Sequence, residues 1–195
     1  MISRRFTTQA VVLKRFNYGE GDRILTLFTR NYGKMAVIAK GVRKPKSRKR
    51  GHVELFTHIK AQVARGRGMG ILTEAESLRG FDINFPRCLT YSTSEVESQG
   101  DRIFYAYQFA ELVDRLLPEE ERNVEVFELL VKALLSISTG QVPLKNLDGY
   151  FKNRLIRILG FWPSERSVPG DVDDFLNEIL ERPLNSKAVW ERMSF

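Results

Sequence analysis

Residues 9–41 read QAVVLKRFNYGEGDRILTLFTRNYGKMAVIAKG and hold three runs rich in β-branched and apolar side chains. Turn-forming residues separate the runs at positions 17–22 and 31–33. Short apolar runs bounded by Gly, Asn and Asp are typical of β-strands in an antiparallel sheet. The stretch therefore predicts three consecutive strands, over residues 9–16, 24–30 and 34–40.

Two further strands are predicted over residues 57–65 and 71–78, with a Gly-rich turn at residues 66–70 between them. Five short strands within about 75 residues suit a small antiparallel barrel or sandwich. We expect an OB-fold, and an SH3-like barrel is the main alternative.

The hydrophobic period changes in the second half of the chain. Apolar side chains there recur with the 3.6-residue period of an amphipathic helix in three segments, centred on Leu112, Leu130 and Leu155. A fourth, shorter helix is predicted over residues 172–180. The chain is therefore expected to be an α+β protein, with a basic OB-fold over residues 1–82 followed by an acidic helical domain over residues 83–195.

Charge is divided unevenly along the chain, whose net charge is +7. Residues 1–73 carry 17 Lys and Arg against 3 acidic residues, whereas the remainder carries 14 against 21. Such asymmetry favours a nucleic-acid-binding module joined to a second part of different function. No apolar run approaches the roughly 18 residues that span a bilayer, and no signal-peptide pattern is present. We expect no membrane contact and a cytoplasmic, nucleoid-associated protein.

Motifs for catalysis or metal binding are weak. Cys88 is the only cysteine, and only two histidines exist, so neither a disulfide framework nor a tetrahedral zinc site is expected. The nearest carboxylates for a metal-dependent nuclease are Glu74, Glu76 and Asp82, but Glu74 and Glu76 would share the solvent-facing side of one strand. We therefore expect no metal, no cofactor and no enzymatic activity.

Residues 41–51, GVRKPKSRKRG, carry six cationic side chains, and no acidic residue lies between Arg23 and Val53. Six like charges repel one another, which costs stability unless an anion neutralises them. Cations beside exposed rings are what single-strand binding requires. The aromatic residues expected to be exposed are Phe16, Tyr18 and Tyr32, although packing is the more common role of any one of them. The predicted nucleic-acid-binding residues are Lys34, Lys40, Arg43, Lys44, Lys46, Arg48, Lys49, Arg50, Arg65, Arg67, Tyr18 and Tyr32.

Residues 18–29 (YGEGDRILTLFT), the pair Gly33-Lys34 and residues 39–48 (AKGVRKPKSR) resemble the N-terminal domain of the bacterial RecO family. The predicted order of domains, an OB-fold followed by a helical domain, is also similar to that of the family. The resemblance implies a recombination mediator that binds single- and double-stranded DNA and anneals complementary strands. It further implies that the protein works with RecR, contacts the acidic tail of single-stranded DNA-binding protein, and assists RecA indirectly.

Residues 151–163 (FKNRLIRILGFWP) resemble the helix and Leu-Gly-aromatic-x-Pro turn that precede the zinc module of this family. Many members carry four zinc-binding cysteines after that turn, whereas residues 164–170 of this chain contain none. A faint likeness of residues 183–187 to the family's C-terminal end favours excision of the module over truncation.

An acidic tail peptide would need an apolar pocket with a basic rim. Lys152, Arg154 and Arg157 are the best local candidates for that rim, and an ordinary solvated helix face is the alternative. Charge and composition alone fit a second function equally well, that of a structured-RNA or ribosome-associated binding module.

Overall fold

The computed structural model describes residues 5–65, 68–79, 81, 99–163, 171–180, 182 and 184–186. Contacts divide the chain into two compact units. Met1–Phe81 and Leu117–Phe127 form the first, and Asp82–Leu116 and Glu128–Phe195 form the second. A boundary between residues 82 and 83 remains a proposal.

Five strands build the first unit: β1 (Arg5–Tyr18), β2 (Asp22–Thr29), β3 (Gly33–Ala39), β4 (His58–Ala64) and β5 (Gly70–Arg79). They close into a barrel in the order β1-β2-β3-β5-β4. The β3–β5 pair is parallel, and the other four pairs are antiparallel. A closed five-stranded barrel of this order is an OB-fold, so that prediction is confirmed over the SH3-like alternative.

The barrel core is made of side chains that alternate along each strand, as the two-residue period of a strand requires. A β-bulge between Val12 and Lys14 interrupts the alternation in β1. Without the extra residue, Phe16 would share the inward phase of Val12. Instead Phe16 pairs with Ile24, on the face opposite Leu25, which lies in the core. After the bulge, the side chains of β1 that would have pointed into the core point outward, and those that would have pointed outward face inward.

The segment Leu117–Phe127 belongs to the barrel unit and covers its outer surface near the β2–β3 turn. The Glu120 N–H donates to the carbonyl oxygen of Lys34 at 2.9 Å. The ring of Phe127 lies 5.8 Å from that of Phe28, centroid to centroid. Phe28 is fully buried although it is on the outward face of β2, because this segment covers it.

Gly33, the first residue of β3, lies directly against this segment. Its φ is +69°, and an added Cβ would lie 2.3 Å from the Glu121 carbonyl oxygen. We expect Gly33→Ala to lower the free energy of unfolding by roughly 3 kcal/mol, because left-handed backbone costs about 1–2 kcal/mol and overpacking about 1–3. Denaturant unfolding measures this.

Gly19→Ala is the matched control for that variant. The φ of Gly19 is +54°, and nothing lies within 4 Å of its would-be Cβ. It should show only the backbone cost of about 1–2 kcal/mol. Equal losses at both glycines would contradict a close approach of Glu121.

Four helices follow in the described residues: α1 (Gln99–Leu116), α2 (Val124–Thr139), α3 (Leu144–Ile158) and α4 (Val172–Leu180). The predicted helical second half is confirmed. In the second unit the rings of Phe109 and Phe151 stack at 4.1 Å, which joins α1 to α3. Among the described residues, none of the helices has both the length and the apolar character needed to cross a membrane.

Candidate nucleic-acid interface

Strand direction places the barrel's connections at two opposite ends. β1, β3 and β5 run one way, and β2 and β4 run the other. The β1–β2 turn and the β3–β4 loop therefore share one end, here called the basic end (residues 18–22 and 40–57). The β2–β3 turn, the end of β4 and the start of β5 share the other end. Seven residues of β3 separate the two ends by roughly 20 Å.

This arrangement splits the predicted binding residues into two groups. Tyr18 and seven cations lie at the basic end: Lys40, Arg43, Lys44, Lys46, Arg48, Lys49 and Arg50. Tyr32, Lys34 and Arg65 lie at the other end. Arg67 is outside the described residues.

The β3–β4 loop is anchored by apolar side chains near both of its ends. Val42 and Val53 are fully buried and belong to the barrel core. Between them the chain forms successive turns and one short 3-10 helix (Arg50–His52). The two valines explain why a strongly charged loop folds back onto the barrel rather than extending into solvent.

Three hydrogen bonds, of backbone and side-chain groups, join the same loop to the β1–β2 turn. The Gly41 N–H donates to Asp22 Oδ1 at 2.7 Å, and the Arg43 N–H donates to the Gly21 carbonyl at 2.8 Å. The Arg43 guanidinium donates to the Gly19 carbonyl at 3.1 Å. These contacts hold Arg43 directly beside the turn that follows β1.

Most cations of the loop point into solvent, but Lys49 does not. Its Nζ donates to the Leu72 carbonyl oxygen at 2.9 Å. Burial lowers the pKa of Lys49, and the nearby carboxylate of Asp22 opposes that shift. Lys49 therefore anchors the loop to β5, and the exposed cations of the loop are Lys40, Arg43, Lys44, Lys46, Arg48 and Arg50.

Two aromatic side chains are exposed next to these cations. Phe16 is 62% exposed and Tyr18 is 55% exposed. They are two residues apart on the outward face of β1, so their attachment points are about 7 Å apart. Phe16 is one of the three aromatic residues expected from the sequence to be exposed, although it is not among the predicted binding residues. The bulge in β1 is what places it on the outward face.

Tyr32 and Arg65 form a different kind of cluster at the other end. The Tyr32 ring lies 4.1 Å from that of Phe6. The Arg65 guanidinium lies 5.3 Å from the Phe6 centroid and 5.7 Å from the Tyr32 centroid, within cation–π range. Tyr32 is thus a packing residue in this structure, partly buried against the core.

A cleft of about 470 Å³ adjoins this cluster. Lys34 and Arg65 line it together with Glu119 and Glu120. Because two carboxylates share the cleft with the two cations, it is less suited to phosphate than the basic end.

The helical unit places one predicted rim residue in its interior. Lys152 is 1% exposed, and its Nζ lies 2.5 Å from Asp148 and 2.6 Å from Asp173. Since both partners already neutralise it, Lys152 cannot belong to an exposed basic rim. Arg154 is exposed and Arg157 is half-buried.

The described residues contain no cluster of three or more His, Cys, Asp and Glu side chains that could hold a metal ion. His52 Nδ1 accepts from the Ser77 N–H at 3.2 Å and contacts Ser77 Oγ at 2.9 Å. His58 Nε2 lies 3.2 Å from Gln9 Oε1. Both histidines therefore join strands and loops of the barrel. Cys88, Asp82 and residues 164–170 lie outside the described part of the chain.

Comparison with known proteins finds two matching family models. Residues 1–81 match Recombination protein O N terminal, and residues 97–167 match Recombination protein O C terminal. The first match coincides with the barrel strands.

Curated relatives are similar over most of this chain. DNA repair protein RecO of Roseiflexus sp. (strain RS-1) is 35% identical over 163 residues, covering 84% of this chain and 53% of the relative. DNA repair protein RecO of Heliobacterium modesticaldum (strain ATCC 51547 / Ice1) is 36% identical, covering 82% and 53%. That of Nocardioides sp. (strain ATCC BAA-499 / JS614) is 37% identical, covering 82% and 61%. The chain spans somewhat more than half the length of these relatives.

The structure and the comparisons indicate the same family. The structure has an OB-fold followed by helices, and the two family models match the chain in that order. The relatives are more than 30% identical to this chain across both parts. The chain belongs to the RecO family.

Proposed function

We propose that this protein binds DNA at the basic end of its barrel and acts as a non-enzymatic mediator of strand annealing in DNA repair. The observation that supports this proposal is the placement of six exposed cations beside two exposed aromatic rings at one end of an OB-fold. Lys and Arg of the loop contact phosphates, and Phe16 and Tyr18 stack on bases.

Annealing requires no bond chemistry. It requires two polyanions held close together, with their charge screened and their bases able to pair. Phosphate contacts do this without reading sequence. A half-exposed aromatic pair can support one strand at a few bases and leave the others accessible.

The partner assignments are part of the same proposal. RecR, the acidic tail of single-stranded DNA-binding protein and, indirectly, RecA are the partners that family membership suggests. For the acidic tail, Arg154 and Arg157 remain the proposed basic residues, and Lys152 is removed from the set because it is buried between two carboxylates.

The direct test is fluorescence anisotropy with labelled oligonucleotides, followed by annealing of complementary strands coated with single-stranded DNA-binding protein. We expect salt-sensitive binding to single and double strands and faster annealing than without protein. Preferential capture by ribosomal RNA in a competition experiment would favour the RNA-binding alternative.

Stacking of bases on Phe16 and Tyr18 can be tested separately from the phosphate contacts. Phe16→Ala and Tyr18→Ala should each weaken single-strand binding by about tenfold, from roughly 1–3 kcal/mol per stacked base. Binding to duplex DNA should change less, because paired bases are not available to the rings. Anisotropy titrations at fixed salt measure both effects.

Tyr150→Ala is the control, since Tyr150 is 63% exposed on α3 in the other unit. It should leave both affinities unchanged. If Phe16→Ala and Tyr18→Ala behave like this control while the protein still binds single strands, bases do not stack on β1.

A further inference from the structure

Glu54 lies between two arginines, Arg15 and Arg23, at the basic end of the barrel. Its Oε2 forms an ion pair with Arg15 Nη1, and its Oε1 accepts from Arg23 Nη1 at 2.9 Å. Each oxygen of the carboxylate thus contacts a different guanidinium. Glu54 is the carboxylate that the β3–β4 loop brings back to the strands just before β4 begins.

The strand register explains why the two arginines meet. Arg15 pairs with Leu25, and Arg23 is two residues before Leu25 on β2. Both side chains are on the inward-facing side of their strands. They lie near the basic end of the barrel, beyond the last core residues. The bulge in β1 is again decisive, because it places Arg15 rather than Phe16 on this side.

The cluster around Glu54 is strongly cationic. Burial, and then the positive charges of Arg15, Arg43 and Arg50, lower the pKa of Arg23. Four guanidinium groups therefore act within one region, and Glu54 forms ion pairs with two of them, Arg15 and Arg23. Nearby Asp22 already accepts from the Gly41 N–H, and Glu20 is exposed on the β1–β2 turn.

The three side chains differ in how readily they can move. The Arg23 side chain is 17% exposed, and its Nε lies 3.4 Å from Asn17 Oδ1, so it is the most fixed. The Glu54 side chain is 45% exposed. Because Glu54 is the most exposed of the three side chains, it can turn into solvent with less loss of packing than Arg15 or Arg23.

We propose that Arg15 and Arg23 form a binding site for one nucleic-acid phosphate, which Glu54 occupies until DNA displaces it. A phosphodiester presents two oxygens and one negative charge, as a carboxylate does, and arginine forks suit both. The proposal rests on the proposed DNA binding and adds a specific site with a built-in competitor. Arg15 and Arg23 lie outside the residues that the sequence pattern singles out.

The decisive variant is Glu54→Gln, which removes the competing charge and keeps the shape of the side chain. At 0.1 M salt we expect about fivefold tighter single-strand binding, because the phosphate no longer has to displace a carboxylate whose charge offsets roughly one arginine contact. Glu20→Gln is the matched control, because it removes the same charge at the same end without touching either arginine. It should change affinity by less than about twofold, since an exposed charge is screened by salt.

A double-mutant cycle distinguishes a local site from a general charge effect. The gain from Glu54→Gln should disappear when Arg15→Gln is also present. If the gain persists in that background, or if Glu20→Gln produces the same gain, Glu54 does not compete for a phosphate site and the inference is wrong.

Two measurements keep the inference testable if Glu54→Gln folds poorly or if DNA binding itself fails. Arg15→Gln alone should weaken single-strand binding about fivefold, whereas Lys60→Gln, at an exposed position of β4, should not. Inorganic phosphate should raise the melting temperature of Glu54→Gln more than that of the unaltered protein. Absence of DNA binding by the unaltered protein would contradict the proposed function, whereas equal phosphate shifts in both proteins would contradict the arginine site.

Discussion

Replacing Lys44, Lys46 and Arg48 together by Ala is expected to weaken single-strand binding by about a hundredfold at 0.1 M salt. Each phosphate contact contributes about 0.7 to the slope of log affinity against log salt. Three lost contacts should therefore flatten the slope by roughly 2. The loss should be similar for pyrimidine and mixed sequences, because phosphate contacts do not read bases.

Lys49 is left unchanged in this variant for a structural reason. Its hydrogen bond to the Leu72 carbonyl anchors the loop to β5, so its removal would mix a folding defect with a binding defect. The three chosen side chains are exposed, and their loss should leave stability unchanged or slightly higher, since loop repulsion falls.

A triple control removes the same charge elsewhere, at the exposed residues Lys60, Arg122 and Lys132. It should alter affinity by no more than a few fold and keep the salt slope. Salt titrations of anisotropy compare the two triple variants. An unchanged slope in the loop variant, with normal stability, would show that the loop is only a solvated connector.

The second large effect concerns the stability of the helical unit. Lys152→Met should lower the free energy of unfolding by roughly 3–5 kcal/mol, because it leaves the carboxylates of Asp148 and Asp173 without their shared cation. The melting temperature should fall by about 10 °C. Lys132→Met, at an exposed position of α2, is the control and should change little.

The loss at Lys152 should depend on pH. Burial raises the pKa of Asp148, and the charge of Lys152 opposes that shift. Without Lys152 the folded-state pKa moves still further above the unfolded value of about 3.9. The folded state then binds more protons than the unfolded state, so stability falls as pH rises through this range.

The difference between Lys152→Met and the unaltered protein should therefore be largest near pH 7 and shrink toward pH 4. Adding Asp148→Asn and Asp173→Asn should recover much of the lost stability, since no unpaired charge remains. Thermal unfolding across pH measures both effects. A variant as stable as the control at pH 7 would contradict the role of Lys152 as a neutralised buried cation.

The two ends of the barrel have different properties although both carry cations. The basic end joins exposed Lys and Arg to Phe16 and Tyr18, whereas the other end packs Arg65 on two rings beside two carboxylates. Substitution of Arg65 should accordingly affect packing more than DNA affinity. The proposed DNA path is thus concentrated at one end of the barrel rather than spread along its length.

The sequence alone determined the classes of the elements and their order. Strand runs between Gly and Asn turns, and apolar residues at helical spacing, are local patterns that act over a few residues. The five strands and the four helices of the described residues follow from such patterns. The strand order that distinguishes an OB-fold from an SH3-like barrel depends on long-range pairing. The run of cations at residues 43–50 is equally visible, because composition needs no fold to be seen.

Tertiary structure alone decided which of these side chains face solvent and which meet each other. A single extra residue at the bulge reverses the phase of β1, so Phe16 becomes exposed and Arg15 meets Glu54. In sequence, Lys49 and Lys152 look like the other cations of this chain. In the structure Lys49 contacts the carbonyl of Leu72, 23 residues away, and Lys152 contacts Asp173, 21 residues away. Such outcomes depend on register and on long-range contacts, which a local pattern of residue types does not encode.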